Sequence, residues 1–125
     1  LDGGAAFDAS AYAVSGAGDV NGDGYDDLLI GAPNVNPGNA LGSGATYLVF
    51  GRADAPASGL SLTSLDGANG FLLVGAAAGH GSGSRVAAAG DIDGDGFADL
   101  LVSATAAVVN DNSAAGYSYV IFGRD

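Results

Sequence analysis

Asp19, Asn21, Asp23 and Asp27 stand at positions 1, 3, 5 and 9 of one loop, and Asp91, Asp93, Asp95 and Asp99 hold the same positions of a second. Alternate residues of a tight loop can turn their oxygens toward one centre, and a backbone carbonyl at position 7, from Tyr25 or Phe97, adds to the set. Roughly six to eight oxygens at about 2.3–2.6 Å suit calcium, which tolerates irregular geometry, whereas magnesium demands a stricter octahedron and keeps its water. Gly24 and Gly96 at position 6 permit the sharp bend with positive φ. The expectation is two calcium ions, one per loop. The plainer alternative is a pair of solvated Asx-Gly turns without an ion. That alternative leaves crowded carboxylates repelling one another, and it must do so twice. Asp26 has no acidic counterpart, because Ala98 stands there, and it is left outside the ligand set. Nor are these EF-hands: Ile30 or Val102 occupies position 12, where that loop needs a bidentate Glu, and the flanks read as strands.

The rest of the composition sharpens this reading. Fourteen acids face three bases, Arg52, Arg85 and Arg124, and every acid is Asp. Eight of the fourteen fall within residues 19–27 and 91–99, so the charge is concentrated rather than spread over a surface. A chain this acidic lacks the basic footprint that nucleic acid requires. The apolar fraction of 48% is too high for a disordered chain. No apolar stretch is long enough to cross a membrane as a helix, and membrane insertion is not expected. Without Cys, neither disulfides nor thiolate metal sites can form. The chain begins at Leu1 with no signal-peptide pattern, and it is read as a processed product or an excised segment.

One unit is written twice. Residues 18–32 match residues 90–104, and residues 44–52 match residues 116–124, both at an offset of 72. Short apolar runs between Gly- and Asx-rich turns indicate β-structure. The spacing predicts four strands per unit: a first near residues 11–17 or 83–89, a second at 28–32 or 100–104, a third at 46–51 or 118–123, and a fourth near 71–74. The second strand is continuously apolar, which implies cover on both faces. Leu1-Asp2-Gly3 with Phe7 is similar to Leu65-Asp66-Gly67 with Phe71, so residues 1–10 read as a strand that completes a neighbouring unit. Residues 11–82 then form the first unit, and residues 83–125 form a second that lacks its fourth strand.

Other residues carry weaker signals. Residues 79–85 are Gly-rich around His80, yet no helix pattern follows that could make a phosphate loop. His80, Ser82 and Ser84 lack an orienting partner for nucleophilic chemistry, and a chain without Glu, Lys or Cys offers a thin catalytic inventory. The chain is therefore not expected to be an enzyme. Tyr12, Tyr47, Tyr117 and Tyr119 read as strand residues packing between sheets.

The Asp loops, together with Phe50-Gly51, Phe122-Gly123 and Gly31-Ala32-Pro33, resemble the FG-GAP repeat of integrin α-subunit propellers and large bacterial surface proteins. The second copy departs, reading Ser103-Ala104-Thr105. The resemblance implies an all-β chain of two tandem four-stranded propeller blades, with calcium between the first and second strands of each. Family propellers hold about seven blades, and two would expose unpaired edges and apolar faces. The expectation is an incomplete propeller that assembles, either with further blades of a longer chain or with copies of itself in a ring or strand-exchanged filament. In the exchanged form, residues 5–10 of one copy would extend the unfinished sheet of another. The implied role is a calcium-binding structural or adhesive module outside the cell or on its surface. A receptor for an extracellular protein or glycan ligand is the alternative, and a polysaccharide-active domain is a more distant one.

Overall fold

The computed structural model describes residues 9–38, 40–54, 59–110, 112 and 114–124. The first repeat forms β1 (Ala13–Gly18), β2 (Asp27–Ala32), β3 (Ala45–Val49) and β4 (Gly70–Val74). They make one antiparallel sheet in the order β1-β2-β3-β4. The second repeat forms β5 (Ser82–Gly90), β6 (Asp99–Ala104) and β7 (Tyr117–Ile121), an antiparallel sheet in the order β5-β6-β7. Among the described residues there is no α-helix, so none is long and apolar enough to cross a membrane. A single 3₁₀ turn, Leu62–Ser64, lies between β3 and β4, with Ser61 as its N-cap. The fold is thus all-β, with the two Asp loops as the tips of the β1–β2 and β5–β6 hairpins.

Strand ends differ from the sequence reading for identifiable reasons. β1 starts two residues later than expected, because Ala9 and Ala11 have φ near +53° and +69° and the Tyr12 N–H closes a turn onto the Ala9 carbonyl at 3.0 Å. Tyr12 consequently precedes the strand and is exposed, and it does not pack between sheets. The third strands stop two residues early, at Val49 and Ile121. The N–H groups of Gly51 and Gly123 leave the ladder for Asp carboxylates at the hairpin tips. The expected N-terminal strand falls on residues 1–8, outside the described residues, and on Ala9 and Ser10, which are not strand.

Because side chains alternate across a strand, β2 sends Leu29 and Ile30 to opposite faces. Leu29 and Leu48 meet Leu100 of β6 in a core between the two sheets, with Leu73, Val86 and Ile121 packed against it. Ile30 and Tyr47 lie on the outer face of the first sheet, buried with Val35 and Leu62. β2 is therefore covered on both faces, as its apolar run implied. β6 is not: Leu101 on its far face remains 37% exposed.

Gly31 explains one half of the difference between the copies. A Cβ there would lie 2.1 Å from the carbonyl oxygen of Gly83, where β5 passes directly against β2. Ser103, its counterpart, has no described sheet pressing on it, and its Oγ lies 3.3 Å from that of Ser118 across the ladder.

Candidate metal centres

Each loop is closed by the carboxylate at position 1. Asp19 accepts from the N–H groups of Asp23 (3.0 Å) and Gly24 (2.9 Å), one on each oxygen. Asp91 does the same with Asp95 (3.1 Å) and Gly96 (2.9 Å). The bend requires φ of +88° at Gly24 and +97° at Gly96, the left-handed region in which a Cβ is strained. Position 5 then fixes position 7: the N–H of Tyr25 donates to Asp23 Oδ1 at 2.9 Å, and that of Phe97 to Asp95 Oδ1 at 3.0 Å.

The carboxylate at position 9 braces the hairpin from inside. Asp27 is buried and accepts from the N–H of Val20 (2.9 Å) and, across to the end of β3, from that of Gly51 (2.8 Å). Asp99 repeats this with Ile92 (2.7 Å) and Gly123 (3.0 Å). Sequence reading identified both Asp residues but missed these donors. The available signal was the Phe-Gly pair, whose glycine follows the position-9 Asp by 24 residues in both copies.

In the second loop, oxygens of Asp91, Asp93 and Asp99 all lie within 4.8 Å of one another. Oxygens bound to one calcium at roughly 2.4 Å can stand no more than about 4.8 Å apart, so this trio can share a single ion. A carboxylate oxygen that accepts one N–H still has a lone pair free for a cation. Asp95 stands outside the trio, turned to the Phe97 N–H. Among the described residues no other trio of acidic or His side chains converges this closely, so Asp19, Asp23 and Asp27 do not reach that spacing. In the first loop the third position is instead an amide: Asn21 Nδ2 donates to Asp23 Oδ2 at 3.0 Å, which leaves its Oδ1 toward the Asp23 N–H.

The electrostatics are those of concentrated negative charge. Burial pushes the Asp27 carboxyl above its ordinary value, partly offset by the Gly51 and Val20 N–H groups, and the Asp23 and Asp19 charges add to the rise. Asp93 is also raised, first by desolvation within its loop and then by Asp95, Asp99 and Asp91. A bound cation would act in the opposite sense on both.

The two loops touch. The Ala98 N–H donates to the Asp19 carbonyl at 2.9 Å, and the Arg124 N–H donates to the Val20 carbonyl at 3.0 Å. The Phe97 ring lies against Gly22, where an added Cβ would be 2.5 Å from Cε1. By contrast, Ser84 and His80 have partners elsewhere. Ser84 Oγ donates to the Ser103 carbonyl at 3.0 Å, and the half-buried His80 packs beside Tyr117 with ring centroids 6.1 Å apart.

The FG-GAP repeat model matches residues 10–49 and 82–121, and the chain belongs to the FG-GAP repeat family. It is 34% identical over 97 residues to "Integrin alpha pat-2" of Caenorhabditis elegans, covering 74% of this chain and 7% of that protein. It is 34% identical over 111 residues to "Integrin alpha-PS5" of Drosophila melanogaster, covering 86% of this chain and 10% of that protein. It is also 37% identical over 99 residues to "Integrin alpha-5" of Xenopus laevis, covering 74% of this chain and 8% of that protein. The chain thus spans a tenth or less of the length of these relatives.

Proposed function

We propose that the chain is a calcium-stabilised β-propeller module with a structural or adhesive role in an extracellular or cell-surface protein. The observation that carries this reading is the convergence of Asp91, Asp93 and Asp99 at the tip of a repeated hairpin. In the second loop these three, with Asp95 and the Phe97 carbonyl, supply the oxygens. In the first loop Asp19, Asn21, Asp23, Asp27 and the Tyr25 carbonyl do so, after a small closure of the side chains around the ion. Binding to the folded state alone adds stability by mass action, and it neutralises charge where the chain is most crowded with it. Extracellular calcium modules bind at about 10⁻⁴–10⁻³ M, a range in which the ion is present outside cells.

The likeness to integrin α chains supports an adhesive setting, in which further blades and a protein ligand are the partners. Calorimetric titration tests the metal directly, with two ions per chain as the expected result. Thermal unfolding provides a second test, because millimolar calcium should raise the melting temperature and chelation should lower it. A melting temperature indifferent to both, with no heat of binding, would refute the reading.

A further inference from the structure

The two Asp loops are joined through their backbones, and the joint runs from one candidate ligand to another. Phe97 offers the position-7 carbonyl of the second loop, and the N–H of that same peptide unit belongs to Ala98. This N–H donates to the Asp19 carbonyl at 2.9 Å. The peptide unit that begins with the Asp19 carbonyl ends with the Val20 N–H, which donates to Asp27 Oδ2 at 2.9 Å. The relay thus leads from the Phe97 oxygen of one loop to the position-9 carboxylate of the other. A second route runs back. Asp99 Oδ1 accepts from the Gly123 N–H at 3.0 Å, and the next N–H along the chain, that of Arg124, donates to the Val20 carbonyl at 3.0 Å. Both routes meet at Val20, which is 5% exposed and packed in the seam with Leu100. The flanks of the joint are tight as well, since a Cβ at Gly18 would stand 2.9 Å from that of Ala98.

Resting on the calcium reading above, we propose that the loops take up calcium as a positively coupled pair, the second loop filling first and helping the first to fill. The order follows from geometry. Asp91, Asp93 and Asp99 already converge, whereas the carboxylates of the first loop must close before they can share an ion. The help follows from what the loops have in common. Residues 22–26 and 91–96 are exposed, so each tip carries conformational freedom that ion binding must remove. When Phe97 and Asp99 are held at a filled second loop, the Ala98 and Gly123–Arg124 backbones are held with them. Asp19 and Val20 then stand against fixed partners, and these two residues set position 1 and the brace on Asp27. Part of the ordering that the first loop requires is thereby complete before its own ion arrives. That is cooperativity without a change of fold.

Two further effects bear on the sign. Hydrogen bonds in series polarise one another, so engaging the Phe97 carbonyl strengthens the Ala98 and Val20 donors rather than loosening them. Charge acts the other way, because a loop neutralised by one cation attracts a second cation less. Salt screens that repulsion between exposed groups over about 8 Å at physiological ionic strength. The hydrogen-bonded joint is shorter than this and partly shielded by Val20. The ordering term therefore prevails.

The test titrates calcium into the full chain and into a variant carrying Asp93→Asn and Asp95→Asn. The variant loses two carboxylates of the second loop but keeps amide oxygens that can accept the Asp95 and Phe97 N–H groups. Each loop is followed by the NMR signal of its own glycine amide, Gly24 or Gly96. Titration in roughly 0.5 M salt, where the screening length is about 4 Å, suppresses the direct charge effect of the substitutions. The first loop of the variant should bind at least about fivefold more weakly than the first loop of the unaltered chain. Equal affinities would overturn the proposal. Hydrogen exchange supplies a second readout that does not depend on the variant folding. In a chain with Asp23→Asn, calcium sufficient for the second loop alone should slow the Ala98 and Val20 amides more than those of β3. Slowing of all of them alike, or of Ala98 without Val20, would overturn it too. The two readings fail in different ways. No response at either glycine in millimolar calcium sinks the metal reading and the coupling with it, whereas two loops that fill with unlinked affinities sink the coupling alone.

Discussion

The carboxylates of one hairpin tip stand in different surroundings, and substitution can tell them apart. Asp99 is fully buried and takes the Ile92 and Gly123 N–H groups, so Asp99→Ala strands the buried Gly123 donor and the part-buried Ile92 donor. At about 1–3 kcal/mol for a buried unsatisfied group and less for a part-buried one, the variant should lose about 1–4 kcal/mol in a denaturant melt even when calcium is absent. Asp93 is exposed and accepts one long bond, 3.3 Å from the Asp95 N–H. Asp93→Asn copies the amide that the first loop already uses at Asn21, and it should weaken calcium binding without lowering the demetallated melting temperature at neutral pH. The raised carboxyls of Asp27 and Asp93 fix the sign of a pH effect. Between the ordinary value of 3.8 and the raised folded value, the folded chain holds more protons than the unfolded one. Their contribution to stability is therefore complete below 3.8 and is lost as pH rises through the folded value. The demetallated chain should gain melting temperature on acidification from neutral pH into that window. With millimolar calcium the trend should reverse, since protons then compete with the ion for the same oxygens. A shift of the same sign in both conditions would contradict the assignment. The candidate positions were readable because side-chain type and two-residue spacing mark them. The Gly51 and Gly123 donors were harder to read, because a backbone N–H has no side-chain signature and just the repeated Phe-Gly pair, 24 residues after each position-9 Asp, points to them.

At the scale of strands and sheets, the hairpin cores were legible and their margins were not. β2 and β6 announce themselves as apolar runs, and both fall within one residue of the expected span. The third strands end early because Gly51 and Gly123 serve the Asp carboxylates, a competition that local pattern cannot reveal. The closeness of the two sheets was also hidden, since it depends on contacts between distant residues. Gly31 is where that closeness is tightest. Gly31→Ser would set a Cβ 2.1 Å from the Gly83 carbonyl oxygen, backbone against backbone, with no flexible side chain able to yield. Overpacking of this kind costs about 1–3 kcal/mol or more, and it should appear as a lower urea midpoint. The reciprocal Ser103→Gly removes an unpressed side chain from a strand, and it should cost no more than about 1 kcal/mol. Equal losses from the two substitutions would mean that the sheets do not meet at Gly31.

For the molecule as a whole, duplication makes each copy a control for the other. Leu29 and Leu101 hold the same place in β2 and β6, yet Leu29 is 0% exposed and Leu101 is 37% exposed. The difference arises from what covers them, since Leu29 faces the second sheet and Leu101 faces no described sheet. Leu29→Ala removes a side chain from a closed seam and should cost about 2–5 kcal/mol. Leu101→Ala forfeits part of one side chain's burial and should cost about 1 kcal/mol or less. Both are measured by urea unfolding at fixed calcium, because bound ion otherwise shifts the baseline. Dilution then tests the premise of an open far face. A cost for Leu101→Ala that stays small at every protein concentration is the result expected of an uncovered sheet. A cost that climbs toward that of Leu29→Ala as the chain is concentrated would show that copies cover that face in solution, and the open far face would then be wrong.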